Sequence, residues 1–416
     1  MSKSDVVPAA IKRLDAEDPL AQKRADFYLP PSVVYLDGNS LGPMPIAAQA
    51  RARAVVEREW AEDLITSWNV NRWIELPTIV GDKIGRLIGA DSGQVICGDS
   101  TSVNLFKVLA AALSLQPKRF KVLSQQGNFP TDLYMVQGLA ALLGESRCQL
   151  LTASAEDLLG QLDESVAVLL LTQVDFRTGK LHDIRKITEL AHEKGIVVIW
   201  DLAHSAGVIP LSLDDWQVDF AVGCGYKFLN GGPGAPAFLY VAKRHQGACQ
   251  QPLSGWMGHR QPFEFSDDYH GHASVKQFLC GTPGVLGMSV LDAALSVFEG
   301  VQIQALREKS LALIQLCRRL VAERTALSEL QLLTPEEPEQ SGSQLAYAHS
   351  EAYAICQALI ARGVIADFRA PDILRLGFSP LFLRFEDIYL SVLALEEIVV
   401  ERQYLSPRFQ ARHAVT

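Results

Sequence analysis

Between about residues 80 and 290 the chain alternates short, uninterrupted apolar runs with amphipathic stretches of helical period, and this alternation constrains the fold more than any other feature. Apolar runs at 95–97, 121–124 and 166–172 are each followed by a helical stretch, at 103–113, 131–143 and 184–193, and further runs follow at 196–200 and 220–223. A strand that is apolar on both faces has to be covered on both faces. The expected class is therefore α/β, a large domain with a mostly parallel mixed sheet wrapped by helices. From residue 291 the texture changes: a long helical stretch over 291–324, a short strand, and a polar segment, 335–343, expected as a solvent-exposed loop. A strand at 345–348, a helix at 351–362 with Gly363 as its C-cap, a strand at 364–369 and a final helix at 385–403 complete a smaller α+β domain. The expected division is an N-terminal arm contributing to the small domain (1–60), a large ligand-binding domain (61–290) and a small C-terminal domain (291–416).

Composition narrows the function classes. With 416 residues, 48% of them hydrophobic, the chain can bury a two-domain core. Its net charge of −9 is dispersed, the opposite of a nucleic-acid footprint. No apolar run is long enough to span a bilayer, and the first twenty residues carry charges throughout, with no secretory stretch. The seven cysteines are scattered and form no C-x-x-C pair, so the expectation is a cytoplasmic protein with free thiols. His259, His270 and His272 lack a further ligand at diagnostic spacing, and no metal is expected.

Ligands of α/β sheets collect outside the carboxyl ends of the strands, and four such ends are polar in a connected way. After 95–97 come Thr101 and Ser102, opening a helix whose free N–H groups suit a phosphate. After 121–124 come Phe129, which can stack on a planar ring, and Asp132. The run 196–200 ends in Asp201, a carboxylate that needs a cationic partner there. After 220–223 comes Lys227, framed by Gly223, Gly225, Gly231, Gly232 and Gly234, which are expected where backbone approaches a cofactor. Each member alone fits a helix cap or a surface residue. Together they match what pyridoxal 5'-phosphate requires: a lysine to join its aldehyde as a Schiff base, an acid to keep its ring nitrogen protonated, a stacking ring and a phosphate cradle.

The strings YLDGNSLG, STSVNL, NFPTD, DLAHSAG and GYKFLNGGPG, in this order from residue 33 onward, resemble the kynureninase family of the class-V aminotransferases. The resemblance implies the type I pyridoxal phosphate-dependent transferase fold, and a homodimer with active sites shared across the subunit interface. It also implies hydrolysis of L-kynurenine to anthranilate and L-alanine in tryptophan catabolism. Residue by residue it makes Lys227 the Schiff-base lysine, and Thr101, Ser102, Phe129, Asp132, Thr172, Asp201, His204 and Tyr226 cofactor contacts. Trp256 and Thr282 resemble contacts reaching the phosphate from the neighbouring subunit, and Arg375 the partner of the substrate α-carboxylate. Trp68 and Asn39 resemble lining of the substrate pocket. Tyr226 is the expected acid–base group, alongside Lys227 and Asp201. Trp68 and Thr282 stand where animal members carry histidine and asparagine, which implies a preference for kynurenine over its 3-hydroxylated form.

Two other readings share this fold. A cysteine desulfurase or selenocysteine lyase would need a nucleophilic thiol on an active-site loop, for which Cys280 is the candidate. A non-catalytic protein of the same fold would have no need of Lys227, Asp201 and Arg375 together.

Overall fold

In the computed structural model, which describes residues 7–412, the apolar runs assemble into one seven-stranded sheet. After a short first strand, β1 (Val34–Tyr35), its members are β2 (Val95–Cys97), β3 (Lys121–Gln125), β4 (Gln149–Ala153), β5 (Val166–Thr172), β6 (Val197–Asp201), β7 (Phe220–Gly223) and β8 (Phe238–Val241). Their spatial order is β2-β8-β7-β6-β5-β3-β4. β8 runs antiparallel to both of its neighbours, and the remaining pairs are parallel. β5, β6 and β7 are buried along their whole length, which is why they show no polar alternation. The chain steps outward from β3 to the edge strand β4, then returns across β3 to β5. A reversal of this kind opens a crevice at the carboxyl ends of the strands.

A second, antiparallel sheet is built from β9 (Gln331–Leu332), β10 (Gln344–Ala348), β12 (Asp367–Arg369) and β13 (Ile373–Gly377), while β11 (Val364–Ile365) pairs in parallel with β1. The N-terminal segment is fastened to the C-terminal helices. Asp15 accepts from the backbone N–H groups of Phe385 (2.7 Å) and Glu386 (2.9 Å), capping the helix Phe385–Val400 from a distant part of the chain. Asp18 forms a buried ion pair with Lys309 at 2.7 Å.

Three local expectations are corrected. The helical stretch 291–324 is interrupted: one helix covers Val285–Ala294, continues as a 3-10 turn to Phe298, and a second runs Ile303–Ala322. Between them Gly300 adopts φ +71°, a left-handed conformation that ends a helix. The strand 364–369 is two strands in different sheets, broken at Ala366. The end of the polar segment, Ser341 to Ser343, is buried, because the Arg307 guanidinium donates to the carbonyls of Pro338 and Ser341 at 2.7 Å each.

At the amino ends of the strands, opposite the crevice, buried Asp219 accepts from His192 (2.8 Å), His245 (2.7 Å), Arg244 (2.6 Å) and the Val198 N–H (2.8 Å). Burial alone would raise its carboxyl, but these donors outweigh it and hold it well below the usual carboxylate range. A depressed acid stabilises the fold above its unfolded pKa, about 4, and that contribution drains as pH falls through the folded value. Asp219→Asn should lower stability by about 3 kcal/mol at pH 7. The gap between wild type and variant, read from denaturant melts, should narrow steadily below about pH 4.

Candidate active site

The crevice is closed by side chains that the strand register sets next to one another. Asp201 ends β6, directly beside Thr172 of β5 and Val222 of β7. It is buried, and its Oδ1 accepts from the Ala203 N–H at 2.7 Å. Asp132 lies in the first turn of the helix Pro130–Leu143, started by the proline after Phe129, and is buried as well. Thr172 Oγ1 sits 2.6 Å from Asn128 Oδ1 and 3.1 Å from Asp132 Oδ2, sharing its proton between them. Burial raises both carboxyls. Asp132 is pushed up further by Asp201, while Lys227 draws both back down. Two desolvated acids therefore share one lysine as their nearest cation.

Lys227 Nζ is 2.9 Å from His204 Nε2 and 5.9 Å from the centre of the Phe129 ring. His204 is buried; desolvation, then the positive charges of Lys227, Arg375 and Arg369, hold it well below the ordinary imidazole value, so it stays neutral. Its Nδ1 is buried and has no partner. The Tyr226 phenol is pushed up to about 12, by burial first and then by Cys224 and Asp201. It keeps its proton at neutral pH. Phe129 is edge-on to Phe176 at 5.2 Å.

Thr101 and Ser102 are the first two residues of the helix Thr101–Ser114, whose cap is the preceding residue, Ser100, accepting from the Val103 N–H at 3.3 Å. Buried Lys107 joins Asp99 Oδ2 to the Phe278 carbonyl, at 2.5 Å each, and so anchors the later loop beside this helix. Three of the glycines around Lys227 are required by the protein's own packing. A Cβ on Gly223 would strike the Phe238 ring at 2.5 Å, one on Gly225 the Pro236 carbonyl at 2.3 Å, and one on Gly231 the Leu291 side chain at 2.6 Å. Gly232 and Gly234 have positive φ. For Gly223, Gly225 and Gly231 the crowding comes from the protein's own packing, which fixes the lysine loop.

Arg375 is fully buried on β13, directly opposite Asp367 of β12. Its Nε donates to Asp367 Oδ1 at 2.9 Å, its Nη2 to Asp367 Oδ2 and to Ser40 Oγ (2.9 Å), and its Nη1 to the Phe176 carbonyl (2.6 Å). Asn39 is buried next to this group, 3.3 Å from Gln344. Two expected residues pack against neighbours elsewhere in the chain and a third is exposed. Trp68 is edge-on to Trp73 at 6.0 Å, Trp256 is edge-on to Phe263 at 5.8 Å, and Thr282 is exposed. Cys280 is half-buried with its thiol on the Leu253 carbonyl at 3.1 Å. No metal-ligating cluster occurs among the described residues.

Sequence reading missed Asn128, Ser40, Gln344 and Asp367 as members of the site. Asn128 and Ser40 lie inside motifs already singled out. The signal for Asp367 was a charge within an otherwise apolar strand.

The donor set fits pyridoxal phosphate: two buried carboxyls short of positive charge, an unpartnered buried imidazole nitrogen, a lysine over an aromatic ring, and a helix N-terminus beside them.

Residues 306–395 match the family model for the kynureninase C-terminal domain. Curated relatives named kynureninase include those of Burkholderia pseudomallei (strain 1106a), 47% identical, and Pseudomonas fluorescens, 45% identical. Each alignment covers 97% of this chain and 98% of the relative. Similar solved structures include the cysteine desulfurase CsdA of Escherichia coli (TM-score 0.75, 21% identity, 92% of this chain and 98% of that one). The apo cysteine desulfurase of Thermococcus onnurineus NA1 is also similar (TM-score 0.76, 18% identity, 91% and 98%). A third is a C-DES variant with glycine covalently linked to its pyridoxal phosphate cofactor (TM-score 0.74, 17% identity, 89% and 98%).

Gly42 tests how tightly the site is held. Its N–H donates to the Tyr226 carbonyl at 2.8 Å, and a Cβ there would meet the Lys227 carbonyl at 2.5 Å. Gly42→Ala should displace the lysine loop and weaken capture of pyridoxal phosphate by about tenfold or more in an absorbance titration. Unchanged affinity would show that the contact does not position Lys227.

Proposed function

The chain belongs to the kynureninase family, and on that premise we propose how its residues divide the work of the reaction. The protein is an enzyme, a pyridoxal 5'-phosphate-dependent hydrolase that cleaves the β–γ carbon bond of L-kynurenine to give anthranilate and L-alanine. Bound cofactor supplies an electron sink for the carbanions this cleavage requires.

Lys227 carries the cofactor and, once freed, takes the substrate's α-proton on Nζ; neutral His204, 2.9 Å away, can accept from that amine. Asp201 would serve the ring nitrogen as its charge partner, Asp132 and Thr172 would complete that wall, and Phe129 would supply a stacking face. Thr101 and Ser102 would hold the phosphate at their helix N-terminus. Tyr226, which retains its phenolic proton, protonates the departing carbon or the carbonyl oxygen. Arg375 receives the α-carboxylate, with Asp367 and Ser40 fixing its plane. The observation that carries this assignment is Lys227, 5.9 Å from the centre of the Phe129 ring, as the positive charge that draws down two buried acids, Asp132 and Asp201.

Trp256 and Thr282 we assign to the partner's cofactor phosphate in a homodimer, and Trp68 and Asn39 to the substrate pocket. Exposed apolar side chains on one stretch of chain, among them Ile46, Trp60, Ile65 and Val70, support a second copy as their cover. Seven free cysteines support a cytoplasmic setting. Among the described residues no single helix is long and apolar enough to cross a membrane.

Anthranilate fluorescence tests the assignment. Wild type should convert L-kynurenine with a higher kcat/KM than 3-hydroxykynurenine and release no sulfide from cysteine, whereas Lys227→Ala should be inactive. Tyr226→Phe should lose about 10²-fold or more in kcat while keeping the bound-cofactor spectrum; an unchanged rate removes Tyr226 from the chemistry. For the shared site, mixing inactive Lys227→Ala and Trp256→Ala proteins should restore activity to about a quarter of wild type, through hybrid dimers with one intact site. No recovery after verified subunit exchange would assign both residues to one subunit's site.

A further inference from the structure

The loop between β1 and the helix Ile46–Ala54 carries a half-buried acid, Asp37, that the mechanism above does not use. Asp37 Oδ1 is shut away from solvent without a donor. Its carboxyl lies near that of Asp367, and two acids so placed favour a single proton held by the pair. Around them stand Arg369 of β12, Arg375 of β13, Ser40 of the same loop, Tyr35 of β1 and Cys356 of the helix Ala352–Ala361. Arg369 forms an ion pair with Asp367 Oδ2 at 2.8 Å, and Ser40 Oγ donates to the same oxygen at 2.7 Å. Burial keeps the Tyr35 phenol and the Cys356 thiol un-ionised, so the charge of the cluster is set by two guanidiniums and two carboxyls.

We propose that Asp37 is a positioning residue that sets the charge of the substrate-carboxylate pocket: while it holds its proton, Arg375 has positive charge to spare, and losing that proton weakens substrate binding. The proposal rests on the assignment of Arg375 given above. Arg369 and Arg375 against Asp367 alone leave one unbalanced positive charge, which an incoming α-carboxylate neutralises. An ionised Asp37 would neutralise it first and would then repel the substrate at short range in a dry site. The titration falls where it matters. Burial, then repulsion from Asp367, pushes Asp37 up to about 7, against the pull of Ser40 and Arg375. Asp367 resists burial because Arg375 and Arg369 hold it below the ordinary value. The proton of the pair therefore resides on Asp37.

The test is the pH dependence of KM and kcat for L-kynurenine on the holoenzyme between about pH 6 and 8.5. Wild-type KM should rise about fivefold to tenfold over this range, and Asp37→Asn should hold KM within about twofold. A flat wild-type profile, or an equal rise in Asp37→Asn, overturns the proposal. Should that variant fail to fold, wild type alone decides. Binding read from cofactor absorbance should weaken with pH for L-kynurenine but much less for its carboxamide, which has the same amine and ketone without the charge. Equal pH dependence of the two ligands overturns the proposal. Arg375→Lys separates the two claims. An unchanged KM there removes Arg375 from carboxylate binding, whereas a raised KM with a flat wild-type pH profile removes only the role of Asp37.

Discussion

Two carboxyls buried at strand ends, Asp201 and Asp132, set the terms for the rest of the molecule. Desolvating an acid is tolerable only where a cation or several donors face it. Here the strand register and the β7 loop deliver them: Thr172 alongside Asp201, Asn128 and Thr172 on Asp132, and Lys227 across the crevice. Three adjacent, fully buried strands are what make this register rigid enough to hold like charges near one another. Protein donors do not finish the task, since both acids remain raised. That residual deficit of positive charge is the physical opening for a cationic ring nitrogen.

The half of the site around Arg375, to which we assign the substrate carboxylate, depends on a short strap. Leu36 donates to the Ile365 carbonyl (2.7 Å) and accepts from the Gly377 N–H (2.7 Å), and a few residues later Gly42 donates to the Tyr226 carbonyl (2.8 Å). Residues 36–42 thus stitch the small sheet to the lysine loop. Asp37, Asn39 and Ser40 lie on that strap, so the distance from Arg375 to Lys227 is governed by an N-terminal segment far from either in sequence. The N-terminal segment is in turn pinned to the C-terminal helices by Asp15 and Asp18.

Much of this was legible in the sequence because strands that are buried on both faces cannot hide their ends. The change from apolar run to Asp201, or to the lysine loop, is visible without coordinates, and the sheet and most helix bounds follow from the same pattern. What stayed hidden depends on contacts between distant segments. Nothing local distinguishes a glycine that makes room for a ligand from Gly225, which makes room for the Pro236 carbonyl. The break at Gly300 interrupts a stretch that remains apolar on both sides, so periodicity ran through it. Asp367 acquires its partner Arg375 only when β12 folds against β13, and Ser40 and Asp37 join them only through the strap. Trp68 packs against Trp73 and Trp256 against Phe263, while Thr282 is exposed, and the phosphate role proposed for Trp256 and Thr282 needs a second copy.

The likeness to two cysteine desulfurases, at 18% and 21% identity for TM-scores near 0.75, shows how little of the chemistry the fold decides. Sulfur transfer needs a reactive thiolate. In this chain burial pushes Cys97, Cys148, Cys224, Cys249, Cys317 and Cys356 toward the thiol form, and the Cys280 thiol is occupied by the Leu253 carbonyl. Cleavage of a carbon–carbon bond next to a ketone has a different requirement: a group that still holds a proton at neutral pH when a carbanion leaves. The burial that keeps Cys224 in the thiol form also raises the neighbouring Tyr226 phenol, so that it keeps its proton at neutral pH, as the donor role proposed for it requires. One desolvated wall beside Lys227 therefore disfavours a thiolate and retains a phenolic proton.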